Sequence, residues 1–241
     1  MAKLPILMYH NVSANNTESK GLTISVEKLE QQFQYLVSKG YTSIFFSDMG
    51  SKKIAPPKKP IIITFDDVYE NQLKYAYPLL QKYKLKASFF VPFAYVGGYD
   101  DWNDGQEKIM SVEQLKSLDS NVIELGLHSF RHRPYDSMSK EAVDTDFQEC
   151  QDFIQEHKLD IKNILAYPYG KFPREKSKKS GFFNQLSAHR IAFGLRIGNR
   201  INRLPLQTKY ELNRLDIKGD MSLSSFKLKV KFGKLLFYIF L

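Results

Sequence analysis

The sequence is poor in residues that staple a chain or anchor it. Cys150 is its one cysteine, so no intramolecular disulfide can form and no paired-cysteine zinc finger is present. Imidazole chemistry is confined to five histidines, and there is one tryptophan, Trp102. No apolar run approaches the about 20 residues needed to cross a bilayer. The most apolar stretch, Leu235 to Leu241, is far shorter than that, and core packing is the expected use for it. There is no internal repeat, and no basic segment followed by a removable apolar core opens the chain, since Leu4 to Met8 is too short for one. With Met1 taken as the native start, this predicts a cytoplasmic protein.

Acidic residues are also in the minority, 26 against 35 basic ones, for a formal net charge of +9. That excess favours anionic partners such as acidic glycans or phospholipid headgroups. Nucleic acid is not expected, because no recognition helix or cluster of bases with stacking aromatics stands out. The positive charge is spread over loops and a tail in which Lys227, Lys229, Lys231 and Lys234 alternate with apolar residues, and a peripheral membrane or anionic glycan contact is the partner it suggests. The oligomeric state is not legible.

What the sequence does contain is an alternation of strand and helix patterns. Strand candidates run over 4–9, 41–45, 60–65, 87–91, 122–127, 164–167, 191–195 and, less sharply, 212–217. Between them, 26–38 puts Leu29, Phe33, Leu36 and Val37 on one face, capped by Ser25 and closed by Gly40. A second helix, 140–157, is capped by Ser139 and carries Cys150 on its apolar face, which makes a buried thiol the expectation. Met110-Ser111-Val112-Glu113 reads as a capping box opening a helix through Leu118. Pro78 interrupts a helical pattern over 69–83 and predicts a kink or split there. The stretches 50–59 and 171–181 read as basic loops, the second flanking a groove. Such alternation predicts an α/β fold with a parallel sheet, and 241 residues suit a single α/β barrel over 1–241.

Chemistry gathers at the strand ends. Thr64-Phe65-Asp66-Asp67 sits at the end of the unbroken apolar run Ile61-Ile62-Ile63. Adjacent carboxylates repel, so a cation or a shared proton must compensate them; the structural alternative is Asp67 as a helix N-cap. His128 and His132, four apart, follow another apolar strand and would share one face of a helical turn, able to reach one metal ion. The two motifs together offer two histidines and one carboxylate, with the second carboxylate left over. Leu4 to Tyr9 is a further apolar strand ending in a histidine, His10.

Thr64-Phe65-Asp66-Asp67 and His128-Ser129-x-x-His132 resemble the first two motifs of the polysaccharide deacetylases, the NodB-homology enzymes of carbohydrate esterase family four. The resemblance implies a distorted (β/α) TIM-like barrel and spans most of the chain, weakest after about residue 199. It implies Asp66 as general base, with Asp67, His128 and His132 on one divalent metal, most often zinc. Ala166-Tyr167-Pro168-Tyr169-Gly170 is similar to the third motif, whose tyrosine backbone N–H helps to hold an oxyanion, a role that would fall to Tyr169. The arginine of that motif is replaced by Ala166, and Arg203 and Arg214 are the candidates to orient the base instead. The family's C-terminal acid histidine has no counterpart, because no histidine follows His189. Met8-Tyr9-His10 instead resembles the permuted poly-N-acetylglucosamine deacetylases, implying His10 as the acid. Asp100-Asp101-Trp102 comes too early in the chain for the fourth motif and reads as a groove-lining loop whose tryptophan faces a sugar. The expected activity is metal-dependent removal of acetyl groups from an N-acetylated carbohydrate. The alternatives are a glycan-binding barrel without turnover and a metal-dependent hydrolase of another carbon–nitrogen or ester bond.

Overall fold

The computed structural model describes residues 2–50 and 57–233. Seven parallel strands close into a ring: β1 (Ile6–Tyr9), β2 (Pro60–Asp66), β3 (Ala87–Val91), β4 (Ile123–Leu127), β5 (Ile161–Ala166), β6 (Phe193–Ile197) and β7 (Leu212–Asp216). Each strand pairs with the next in sequence, and β7 closes on β1 through Leu215 opposite Leu7 and Asp216 opposite Met8. Register slips once, between β4 and β5. The fold is therefore the distorted (β/α) barrel expected from the sequence. The segment expected as a strand over 41–45 reduces to Thr42–Ser43, paired with the start of β2 and left outside the ring. The ring has no room for it, because β1 takes the edge of β2 from Ile62 onward.

Side chains alternate between lumen and outer layer with the period of two that a strand dictates. Outward residues such as Leu7, Ile61, Ile63, Phe65, Phe89, Leu125 and Leu165 join the larger core beneath the helices. Inward residues Ile6, Ile62, Phe90, Ile164, Ala166, Leu195 and Leu212 form a second cluster that fills the lumen. Gly126 belongs to this inner file, and a Cβ there would lie 2.6 Å from the Phe90 ring. At the N-terminal end of the barrel, Phe46 plugs the lumen. The segment carrying it is tied down by Glu124, which accepts from Phe46 N at 2.8 Å, Ser47 Oγ at 2.8 Å and Ser88 Oγ at 2.6 Å. A buried carboxylate supplied with three donors is a satisfied one.

Among the outer elements, α1 (Val26–Ser38) is capped by Ser25, and Leu29, Phe33 and Leu36 face the barrel. Val37 does not join them and is 44% exposed; Gln32 is buried in its stead, accepting a 2.7 Å hydrogen bond from Tyr9 Oη. Ahead of Pro78 the chain makes a π-helical turn over Gln72–Ala76 and continues as α2 (Tyr77–Lys82), the split that proline predicts. The box at Ser111 opens α3 (Val112–Ser117), with Gln114 rather than Glu113 closing it back onto the cap. Helix α4 (Lys140–His157) buries Cys150, whose thiol is pushed up by burial. The stretch 171–181 is only partly a loop, since α5 (Lys176–Ala188) begins inside it. A last helix, α6 (Leu223–Phe232), rests on α1 through Phe226 and Val230. The tail 235–241 and most of the connector 50–59 lie outside the described residues.

Candidate active site

Stepping by two along the inward file of β2 passes from Ile62 through Thr64 to Asp66. The same step along β4 passes from Glu124 through Gly126 to His128, and along β7 from Leu212 through Arg214 to Asp216. These strands run the same way, so their polar ends meet at one mouth, the C-terminal end of the barrel. There Asp66, Asp67, His128, His132 and Arg214 are all buried.

Asp66 sits in a bidentate ion pair: Arg214 Nη1 donates to Oδ1 at 2.5 Å and Nη2 to Oδ2 at 2.8 Å. Of the two arginines proposed to replace the one missing at Ala166, the structure selects Arg214; Arg203 is exposed on a strand outside the ring. Burial alone would raise the Asp66 carboxyl, yet Arg214, His128 and His10 together hold it below the ordinary carboxylate range. Asp66 is thus an ionised acceptor, oriented on both oxygens.

Asp67 turns the other way. It follows the strand with φ at +75° and Val68 with φ at +45°, a left-handed pair that swings its carboxylate off the inward file. His128 Nε2 lies 3.5 Å and His132 Nε2 3.4 Å from Asp67 Oδ1. One ligand atom from each of the three residues falls within 4.8 Å of the others. His128 Nδ1 is 2.7 Å from the Ala166 carbonyl oxygen, so it carries the proton and leaves the Nε2 lone pair facing Asp67. The histidines do not share a helical turn, as their spacing suggested. They lie on a loop bent by left-handed Ser129 and His132, which folds the second imidazole back toward the first, with ring centroids 4.8 Å apart.

These residues fit a divalent cation. Asp67 Oδ1 is buried and has no hydrogen-bond partner. Burial and the neighbouring Asp66 push the Asp67 carboxyl well up, the response expected of paired carboxylates left without a cation. Burial lowers both imidazoles, His132 to about 2, so both are neutral and free to ligate.

The remaining expected residues converge on the same mouth. His10, directly after β1, brings Nε2 to 3.7 Å from Asp66 Oδ2. Burial lowers it to about 4, against the pull of Asp66 and Asp216. Tyr169 sits in a tight turn with φ at +57°, held by Pro168 and by Gly170, where a Cβ would meet Ile197 N at 2.7 Å. Its ring is 49% exposed and stands edge-on to His132 at 4.8 Å. Trp102 comes in from the loop after β3 and stacks on His132 at 4.4 Å. The structure thus packs the indole on the barrel rim, between His132 and Tyr95. Gln72 went unnoticed in the sequence. Its amide donates to the carbonyl oxygens of both His10, at 3.0 Å, and Asp66, at 2.6 Å, joining the ends of β1 and β2. The sequence signal near it is Pro78, which predicts a break in the helical pattern that carries Gln72.

A barrel with an Asp-His-His centre and a second, arginine-held carboxylate at its C-terminal mouth defines a hydrolytic class of site. The model of the polysaccharide deacetylase family matches residues 53–182, more than half of the chain. The chain belongs to the polysaccharide deacetylase family. It is 27% identical over 187 residues to YxkH of Bacillus subtilis (strain 168), whose name assigns it to the same family, covering 75% of this chain and 63% of that one. It is 25% identical over 186 residues to the poly-beta-1,6-N-acetyl-D-glucosamine N-deacetylase of Staphylococcus aureus (strain N315), covering 70% and 62%. The chain thus spans less than two thirds of these relatives. Among solved structures, the deacetylase PplD of Streptococcus pyogenes, in complex with acetate, superposes with a TM-score of 0.78 at 22% identity, covering 95% of this chain and 98% of that one. IcaB from Ammonifex degensii gives a TM-score of 0.76 at 22% identity, with 96% and 97% covered. Both likenesses show the fold.

Proposed function

We propose that the chain removes N-linked acetyl groups from an N-acetylated sugar of a polysaccharide, an oligosaccharide or a glycan precursor, using one divalent metal, with zinc favoured. The observation that carries this is a division of labour between adjacent carboxylates. Asp67 Oδ1 faces both neutral imidazoles, while Asp66, its Oδ2 3.8 Å from His128 Nε2, is gripped on both oxygens by Arg214. A tetrahedral preference and a nitrogen-rich donor set favour zinc over magnesium or calcium. Bound there, the ion would polarise the acyl carbonyl and make water easier to deprotonate.

The residues of the chain supply the rest. Asp66 accepts the water proton, and the Arg214 fork fixes both of its oxygens, so the acceptor need not reorient. His10, beside Asp66 Oδ2, is placed to deliver a proton to the departing amine. Being neutral at rest, it must take that proton up within the cycle, and Asp66 at 3.7 Å is the adjacent source. The Tyr169 turn presents its backbone N–H as the oxyanion donor in this reading. The Staphylococcus relative's name supports poly-N-acetylglucosamine as the substrate class.

The test is acetate release from N-acetylglucosamine oligomers by zinc- or cobalt-loaded protein, with Asp66→Asn and His10→Ala alongside. Release by the wild type and its loss in Asp66→Asn are expected. No release from any acetylated sugar by protein carrying one metal per chain would reject the deacetylase reading.

A further inference from the structure

The net charge of +9 is not needed at the mouth, and much of it gathers at the opposite end of the molecule. Lys3 stands just before β1 and Lys58 and Lys59 just before β2, whereas His10 and Asp66 follow or end those same strands. At about 3.3 Å per residue, the seven residues of β2 put roughly 20 Å between the two ends. Around Tyr35 and Tyr41, a surface hollow of about 510 Å³ is lined by Lys3, Lys39, Lys58, Lys59 and Lys231. Beside it, a hollow of about 220 Å³ is lined by Arg200, Arg203 and Phe232. Among the described residues, no Asp or Glu lines either one.

Helix α6 supplies the apolar part. Its inner face, Phe226 and Val230, is spent on α1, with Phe226 edge-on to Tyr35 at 6.1 Å. On its outer face, Leu228 and Phe232 lie one turn apart and are 43% and 49% exposed. Lys227 and Lys231 lie one turn apart beside them, and the Phe232 ring carries the ammonium groups of both Lys3 and Lys231, at 5.6 and 5.0 Å from its centroid. A helix with exposed apolar side chains beside a lysine stripe has the composition of an interfacial helix. Residues 221–241 contain no Asp or Glu, and Lys234 leads into the apolar stretch 235–241.

We propose that this end of the barrel, from Lys3 and the 58–59 lysines to the outer face of α6, docks on an anionic phospholipid bilayer and leaves the catalytic mouth facing away from it. The charge decides between occupants. The apolar stretch 235–241 has no acidic side chain to set against five clustered lysines, whereas anionic headgroups have phosphates, and the lipid beneath them takes Leu228 and Phe232. The proposal is independent of the reaction performed at the mouth.

The experiment is co-sedimentation of the full chain with phosphatidylcholine vesicles, with and without phosphatidylglycerol, at low and high salt. The wild type is compared with a Lys39→Ala, Lys58→Ala, Lys231→Ala triple variant and with Phe232→Ser, and circular dichroism verifies folding. Dextran sulfate serves as a soluble polyanion. Binding only to the anionic vesicles, weakened by salt, is expected. Each lysine removed should lower the partition coefficient about fivefold, or about a hundredfold for the triple variant. Phe232→Ser should weaken the binding that survives in high salt. Equal binding to neutral vesicles, or anionic binding unchanged in the triple variant, overturns the proposal. Binding to dextran sulfate through these lysines without any to vesicles overturns it in favour of an acidic glycan.

Discussion

Arg214 and Asp66 lie 148 residues apart in sequence and meet as a fully buried fork-to-fork ion pair at the barrel mouth. The pair stands where the motif of the family has a different arginine, at the position occupied here by Ala166. Arg214 lies on β7, two strands around the ring from Ala166 at the end of β5. Its guanidinium grips both oxygens of the carboxylate.

That grip sets the first prediction. Arg214→Lys keeps the charge and loses the planar fork, so kcat should fall about a hundredfold with KM little changed, the cost of a misaligned acceptor. Arg214→Ala leaves Asp66 buried and unpaired, and should lower folding stability by about 3–5 kcal/mol. Steady-state kinetics and denaturant titration measure the two effects, and full activity in Arg214→Lys would remove the orienting role.

Metal binding should follow Asp67 and the two histidines and ignore Asp66. Zinc content is expected at one per chain in the wild type and in Asp66→Asn, and near zero in Asp67→Ala and His128→Ala, by elemental analysis after dialysis. Stoichiometric zinc retained in both of the latter would reject the ligand assignment.

Trp102 is the sole tryptophan and is stacked on His132, so its fluorescence reports on a single place. Zinc titration should change the emission with an end point at one equivalent, and His132→Ala should abolish the change. An unaltered spectrum on confirmed zinc binding would place the indole elsewhere.

The metal-free protein should lose stability in weak acid. His10 has its pKa lowered to about 4 in the folded chain from an ordinary 6.5, so the unfolded chain binds that proton more readily. The contribution is whole above pH 6.5 and fades as the pH falls from 6.5 toward 4, a loss on the order of 3 kcal/mol. His132, lowered in the same direction, adds to the slope. Denaturant midpoints across this range, for wild type against His10→Gln, measure it; a variant with the same slope as the wild type would refute the His10 share.

Gly126→Ala should destabilise the barrel by about 1–3 kcal/mol, because the new methyl overlaps the Phe90 ring inside a filled lumen. Adding Phe90→Leu should restore part of the loss in thermal melts.

The strand ends were legible because chemistry follows directly after apolar runs: Asp66-Asp67 after 61–65, the histidine pair after 122–127, His10 after 4–9. The parallel barrel was legible for the same reason, since strands covered on both faces read as unbroken apolar runs. That double covering also hid which residues face the lumen. Arg214 looked no better than Arg203, because its inward direction depends on the register of β7 against β1. The histidine spacing misled in detail: four residues apart suits a helical turn, and only the left-handed backbone at Ser129 and His132 shows that a loop achieves the same convergence. The short strand at 42–43 failed to join the ring through competition for the edge of β2, a matter of tertiary geometry.

The plug of Phe46 and Glu124 makes the lumen a blind alley. In the deacetylase reading, water, sugar and released acetate all come and go at the C-terminal end, because the lumen beneath it is filled by Ile62, Phe90 and their neighbours. In that reading, entry and exit at the same end tie the next turnover to clearance of acetate.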